Sequence, residues 1–184
     1  MLSLRYGKEM NSKSDWYVIT GGFSSGKSTV LSCFEKMGYK TIPDAARILI
    51  DEEMAGGKTI EEIRKNEREF QQKVLAIKLR VENKLSGNQI IFFDRAIPDS
   101  AAYYQICGLN PKEVLDVCQK GQYEKVFFME QLPLIKDYAR TEDSQTAKRL
   151  NQFLKQTYKQ LGYKVIFVPV MSIKKRVKFI QSRL

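Results

Sequence analysis

GGFSSGKS, Gly21–Ser28, follows the apolar run WYVIT, Trp16–Thr20, and leads into KSTVLSCFEKM, Lys27–Met37. It fits the pattern G-x-x-x-x-G-K-[ST], which has meaning only between a buried strand and the start of a helix. Both neighbours are legible. The run before it is β-branched and aromatic, and the stretch behind it has helical spacing and stops at Gly38. Small residues let successive backbone N–H groups turn inward on phosphate oxygens. The helix that starts near Lys27 adds its positive end. Gly21, Gly22, Phe23, Ser24, Ser25 and Gly26 are therefore the expected cradle of a nucleoside triphosphate. Lys27 is expected at the β- and γ-phosphates, Ser28 at Mg²⁺, and Thr29 at the α-phosphate.

Outward from the loop, strand-like and helix-like segments alternate. IIFFD (Ile90–Asp94), KVFFM (Lys125–Met129) and KVIFV (Lys164–Val168) are short apolar runs without alternation, so both faces are expected to be covered. YKTIP (Tyr39–Pro43) is a weaker fifth. Helices are expected at Lys27–Met37, Thr59–Leu85 with a Thr59/Glu62 capping box, and Asp99–Cys107. Asn110 and Pro111 open another. Leu150, Phe153, Leu154, Tyr158 and Leu161 stripe a further helix, and Ser172 caps the last. This order predicts a three-layer α/β fold of the P-loop NTPase kind, with a mainly parallel five-stranded sheet. The segments from Asp44 to Met54 and from Gln131 to Asp143 follow strands, at the ligand-binding edge, and are expected to be the mobile pieces.

Composition bounds the chemistry. The 184 residues are 43% hydrophobic and 28% charged, as in a soluble globular chain. Residues 1–15 read as a flexible tail, and 16–184 as one domain. No apolar run approaches the roughly 20 residues of a membrane span, and no secretory core is visible, so a cytoplasmic protein is expected. There is no histidine, which removes histidine triads and histidine general bases. Three dispersed cysteines without a CxxC spacing read as reduced thiols. A formal charge of +10 suits an anionic partner. Nucleic acid is disfavoured, because no reading motif accompanies the charge.

Two acidic–basic pairs are the candidates for chemistry. Asp94 ends the strand IIFFD, the place for a carboxylate that holds Mg²⁺, and Arg95 follows it. Asp44 and Arg47 lie in PDAAR, Pro43–Arg47, after the weak strand. Asp44 would accept a proton from an acceptor hydroxyl or simply cap a helix, and Arg47 would bind an anionic group of the acceptor.

TGGFSSGKSTV, PDAAR, FFDRAIPDSAAY, KVFF with the Pro133–Arg140 segment, and LGYKVIFVPV occur in an order that resembles the AAA_28 family of P-loop proteins. That family includes the nicotinamide riboside kinase domain of bifunctional NAD-biosynthesis regulators. The resemblance implies a nucleoside- and nucleotide-kinase-like fold over Trp16–Leu184. It implies that Asp94 and Arg95 are the family's Asp-Arg pair, and that Asp44 and Arg47 are its acidic-x-x-Arg motif. Arg140 matches the arginine of the family's D-G-x-R lid segment, with Tyr138 in place of the glycine.

The expected function is transfer of the ATP γ-phosphate to a hydroxyl of a small molecule such as a nucleoside. Lys27, Asp44, Asp94, Arg95 and Arg140 are the catalytic candidates, and Asp44, Arg47 and Arg95 the acceptor-binding ones. Either Asp44 or Asp94 would serve as the base. The alternative is a nucleotide-dependent switch or lipid-binding NTPase, its basic C-terminal KKRVKF lying on an anionic membrane surface.

Overall fold

β1 (Trp16–Thr20) is buried along its whole length and sits at the centre of a five-stranded sheet. The computed structural model describes residues 15–85, 89–118, 122–132 and 144–184. Its sheet runs β2 (Lys40–Ile42), β3 (Ile91–Asp94), β1, β4 (Lys125–Met129), β5 (Val165–Val168), every pairing parallel. Parallel strands need crossovers, and the helices supply them. They are α1 (Lys27–Lys36), α2 (Ala45–Ala55), α3 (Ile60–Arg64), α4 (Glu67–Asn83), α5 (Asp99–Cys107), α6 (Lys112–Leu115), α7 (Ser144–Gln160) and α8 (Ile173–Gln181).

Side-chain alternation in β1 divides the core. Tyr17 and Ile19 face α1 and α8, where Phe34, Leu31, Val177 and Ile180 close over Phe92 and Phe127. Phe34 stacks on Phe92 with centroids 4.2 Å apart. Trp16 and Val18 face the opposite side, with Phe93, Val126 and Tyr158 of α7. Ala102 of α5 and Leu150 and Leu154 of α7 cover Phe128 on β4. Helices on both faces of one parallel sheet make the three layers expected.

Register sets the site. Ile19 of β1 pairs with Asp94 of β3, and Thr20 with Phe128 of β4. Asp94 thus ends its strand level with the start of the glycine loop. The crevice outside the carboxyl ends of β1 and β3, where connections diverge, is where such sheets bind ligands.

Several expectations are corrected. Thr59–Leu85 is two helices, because Asn66 caps α4 by accepting from the Glu69 N–H. The Thr59/Glu62 capping box opens only the short α3. Asp44–Met54 is largely the ordered helix α2, with Ala45 and Leu49 buried against Phe70, Val74 and Ile77 of α4. The edge strand β5 is not covered on both faces, since Phe167 is 45% exposed. Ser172 stands at the N-cap of α8, but its side chain makes no capping bond. Arg140, Tyr138 and most of the 131–143 segment lie outside the described residues.

Candidate functional site

The glycine loop closes on itself around its own lysine. Gly21 has φ +134°, and a Cβ there would lie 2.6 Å from the Met129 carbonyl oxygen, so the loop passes β4 too closely for any side chain. Gly26 has φ +80° and turns the chain into α1. Lys27 is buried and donates to the Gly22 carbonyl (2.7 Å) and to Ser25 Oγ (3.1 Å). Ser25 Oγ in turn donates to the Gly22 carbonyl at 3.0 Å. Phe23 leans edge-on against Tyr103 of α5. Ser28 and Thr29 are exposed on the first turn of α1.

Asp94 comes to this loop from β3. Ser28 Oγ donates to Asp94 Oδ2 at 3.1 Å, while Asp94 Oδ1 is buried without a partner. A hydroxyl and a carboxylate are hard oxygen donors that suit Mg²⁺, and the orphaned oxygen is the kind of group a cation satisfies. Arg95 has a left-handed backbone, φ +61°, costly for a residue with a Cβ. Its N–H donates to the Ile19 carbonyl at 3.1 Å, and its guanidinium pairs with Asp44 and lies 5.6 Å from the Tyr103 ring centroid. Asp44 also caps α2, accepting from the Ala46 N–H at 3.1 Å. Its two oxygens are divided: one caps α2, one of the two readings expected of it, and the other faces Arg95, which neither reading anticipated. Arg47 is exposed on the first turn of α2 and does not join this pair.

The cluster is electrostatically crowded. Burial, with Arg95 nearby, pushes the Lys27 ammonium down to about 7, against the pull of Asp94, Asp44 and Asp99. Burial raises the Asp94 carboxyl above its usual range, with Arg95 and Lys27 opposing. Burial also acts to raise Asp44, but Arg95, Lys78, the Ala46 N–H and Lys27 outweigh it and hold the carboxyl below its usual range. Burial acts to lower Arg95, but Tyr103, Asp44, Asp94 and Asp99 prevail, so the guanidinium stays charged. Two buried cations side by side, one close to losing its proton, make a cradle that a polyanion would relieve.

Five buried side-chain polar atoms lack a partner among the described residues. Four of them, Ser24 Oγ, Asp94 Oδ1, Arg95 Nε and Asn151 Oδ1, surround this crevice. Asn151, from α7, lies so close to Gly22 that a Cβ there would meet its amide oxygen at 2.6 Å.

Sequence reasoning missed the residues beneath the site. Asp99 is buried and accepts from the Thr20 hydroxyl, the Tyr158 hydroxyl and the Ala96 N–H, which locks the end of β1 to α5 and α7. Lys78 of α4 donates to the Ala96 carbonyl (2.9 Å) and to Ser100 Oγ (3.1 Å). Glu82, one turn further on, accepts from the Ile97 N–H. These contacts fix the turn that holds Arg95. Asp99 had a visible signal, as the second aspartate of FFDRAIPDS; Lys78 and Glu82 look like ordinary charges on a helical face.

A family model described as AAA_28, an AAA domain, matches residues 16–176. No curated protein matches the chain significantly. Among solved structures, the NadR protein in complex with NR is similar with TM-score 0.66 and 12% identity over 92% of this chain, which spans 50% of that one. Deoxyadenosine kinase from M. mycoides, with dCMP and dCDP bound, gives TM-score 0.59 and 16% identity over 91% of this chain and 97% of that one. Thymidylate kinase from Candida albicans gives 0.59 and 15% over 93% and 91%. At such identities the likeness is one of fold. With the family model spanning the whole described sheet, the chain belongs to the AAA_28 family and has the P-loop fold shared by nucleoside and nucleotide kinases.

Proposed function

We propose that the protein is an ATP-dependent kinase of a small alcohol, such as a nucleoside. The observation that carries this is the Asp44–Arg95 pair at the open end of the sheet, next to but separate from the Ser28–Asp94 pair. Two carboxylates in two environments suit two tasks. Asp94, with Ser28, fits a metal position, and Asp44 faces where an acceptor would lie. Mg²⁺, when bound, neutralises charge on the phosphate oxygens.

The rest falls to the chain. Gly21–Thr29 would hold the triphosphate, and Lys27 would give its charge to the β- and γ-phosphates once they displace it from Gly22 and Ser25. Asp44, ionised through its neighbours, would accept a hydrogen bond from the acceptor hydroxyl and orient its oxygen toward the γ-phosphorus. A weak base is enough, because phosphoryl transfer rests mainly on positioning and charge stabilisation. Arg95 would swing between Asp44 and the anionic group. Arg47 would reach the acceptor from α2, and Arg140, by its motif, the transferring phosphoryl group. The neighbouring structures, two of them with kinase names, support the acceptor class through their fold.

A mass-spectrometric screen of nucleosides and related alcohols with ATP·Mg²⁺ tests the proposal. An acceptor gaining one phosphate, with loss of turnover in Asp44→Asn and Asp94→Asn, is expected. Nucleotide binding without transfer to any alcohol, together with nucleotide-dependent ordering, would favour the switch.

A further inference from the structure

Arg176 lies on the inner face of α8, at the far end of the chain from the glycine loop, with 2% of its surface exposed. Among the described residues it forms no salt bridge. Its guanidinium instead donates to three backbone carbonyls: Ser25 in the loop (2.5 Å), Glu130 just after β4 (3.2 Å) and Pro169 just after β5 (3.0 Å). Burial works against the charge, its hydrogen bonds go only to neutral carbonyls, and the Glu130 carboxylate offsets part of the cost from beyond ion-pair distance; a further anion at the loop would offset more. Three acceptors from three segments also fit a planar fork, which lysine cannot reproduce.

The bond to Ser25 has a geometric consequence. A trans peptide holds its C=O and N–H on opposite sides, and the described chain contains no cis peptide. With the Ser25 carbonyl turned out onto Arg176, the N–H of the same peptide, that of Gly26, points the other way. On the inner side of the loop, Lys27 Nζ lies against Gly22 and Ser25. Gly26 is held close to the guanidinium: a Cβ on it would meet Arg176 Nη1 at 3.2 Å.

We propose that Arg176 is a positioning residue for the phosphate cradle. It pins the Ser25–Gly26 peptide so that the Gly26 N–H donates to a phosphate oxygen of the bound nucleotide, and it places a fixed positive charge behind the loop. Without it the peptide is free to rotate, and the Ser25 carbonyl would present its negative end to the phosphates. Because the same side chain holds the residues after β4 and β5, it also ties the loop to both flanking connections. The inference rests on the nucleotide-binding part of the function proposed above, not on phosphate transfer.

Calorimetry with ATP·Mg²⁺ and with inorganic tripolyphosphate, below the melting temperature of each variant, tests it on Arg176→Met, Arg176→Lys and Val177→Ala. Arg176→Met should lose about tenfold or more in affinity for both ligands, as expected for a lost charge-assisted contact network. Arg176→Lys should lose less, because it keeps the charge and not the fork. Val177 is buried on the same helix, so Val177→Ala should lower the melting temperature and leave both affinities unchanged. In the wild type, the Gly26 amide proton should move downfield when tripolyphosphate binds. Wild-type affinity in either folded arginine variant overturns the inference, as does an equal loss in Val177→Ala. Should Arg176→Met not fold, Arg176→Lys is judged by the same criterion, and an unmoved Gly26 resonance overturns the inference whichever variants fold. A wild type that binds tripolyphosphate but phosphorylates no alcohol removes the kinase reading and leaves this one standing.

Discussion

At the scale of single residues, Lys27 carries the sharpest expectation. It is buried, and its partners in the absence of ligand are one carbonyl and one hydroxyl of its own loop. Replacing it removes a cation that burial already disfavours, so Lys27→Ala should fold with undiminished stability. It should nevertheless lose ATP·Mg²⁺ affinity and abolish transfer. Calorimetry alongside thermal melting checks both halves, and unchanged affinity would sink the loop assignment. Asp94→Asn separates a metal role from a packing role. Asparagine keeps the shape beside Ser28 but not the charge, so turnover should fall at least about tenfold with only modest loss of nucleotide affinity. Normal turnover in an otherwise working assay would reject the metal role. The loop, Asp94 and Arg95 were legible in the sequence because a local pattern specifies them. The contact of Asp44 with Arg95 was not, since 51 residues separate them. Nor was Arg176, which sits in the basic run KKRVKF that read as a surface for an anionic membrane.

Among the elements, strands were easier to read than helix interruptions. The apolar runs at β1, β3 and β4 stand out because burial in a parallel sheet demands continuous hydrophobicity, and β5 is as apolar although one of its faces is partly open. The break between α3 and α4 escaped notice because the apolar period of Ile60, Ile63 and Phe70 runs across it. The deciding signal is Asn66, a strong capping residue. It matters for the site, since the turns of α4 that carry Lys78 and Glu82 keep their phase only if the helix starts there. Asn66→Ala should therefore lower stability by about 1 kcal/mol, while Asn66→Asp should be close to neutral. Urea unfolding measures both. Equal stability of the alanine variant and the wild type would mean that α4 does not depend on this cap.

For the whole molecule, the sheet order is what assembles the site, and no local pattern in the sequence states it. Placing β1 between β3 and β4 brings the glycine loop, Asp44 and Asp94–Arg95 to one edge, with α4, α5 and α7 supporting them from one face and α1 and α8 from the other. One consequence is a buried carboxyl in the support of the site. Glu82 is 5% exposed, and burial pushes it from 4.5 to about 7, although Tyr123, Lys78 and the Ile97 N–H pull the other way and Asp99 adds to the rise. Tyr123 OH and Gln122 Nε2 donate to the same carboxyl oxygen. A group whose pKa is raised on folding favours the native state while it is protonated. Its contribution is complete below about 4.5, where both states hold the proton, and is lost as the pH rises through about 7. The ionised form is disfavoured by on the order of 3 kcal/mol, taking about 1.4 kcal/mol for each pH unit between those values. Other carboxylates, Asp44 among them, act in the opposite sense, so the difference between two proteins is the informative quantity. Glu82→Gln keeps the shape and cannot ionise. Its stability relative to wild type should rise by up to that amount between pH 4.5 and 7 and then stay level to pH 8, while any hydrogen bond the amide makes poorly lowers the whole curve equally. Urea unfolding at half-unit steps of pH measures the difference, and a flat difference across that window would show that Glu82 ionises in the folded protein at its ordinary pH.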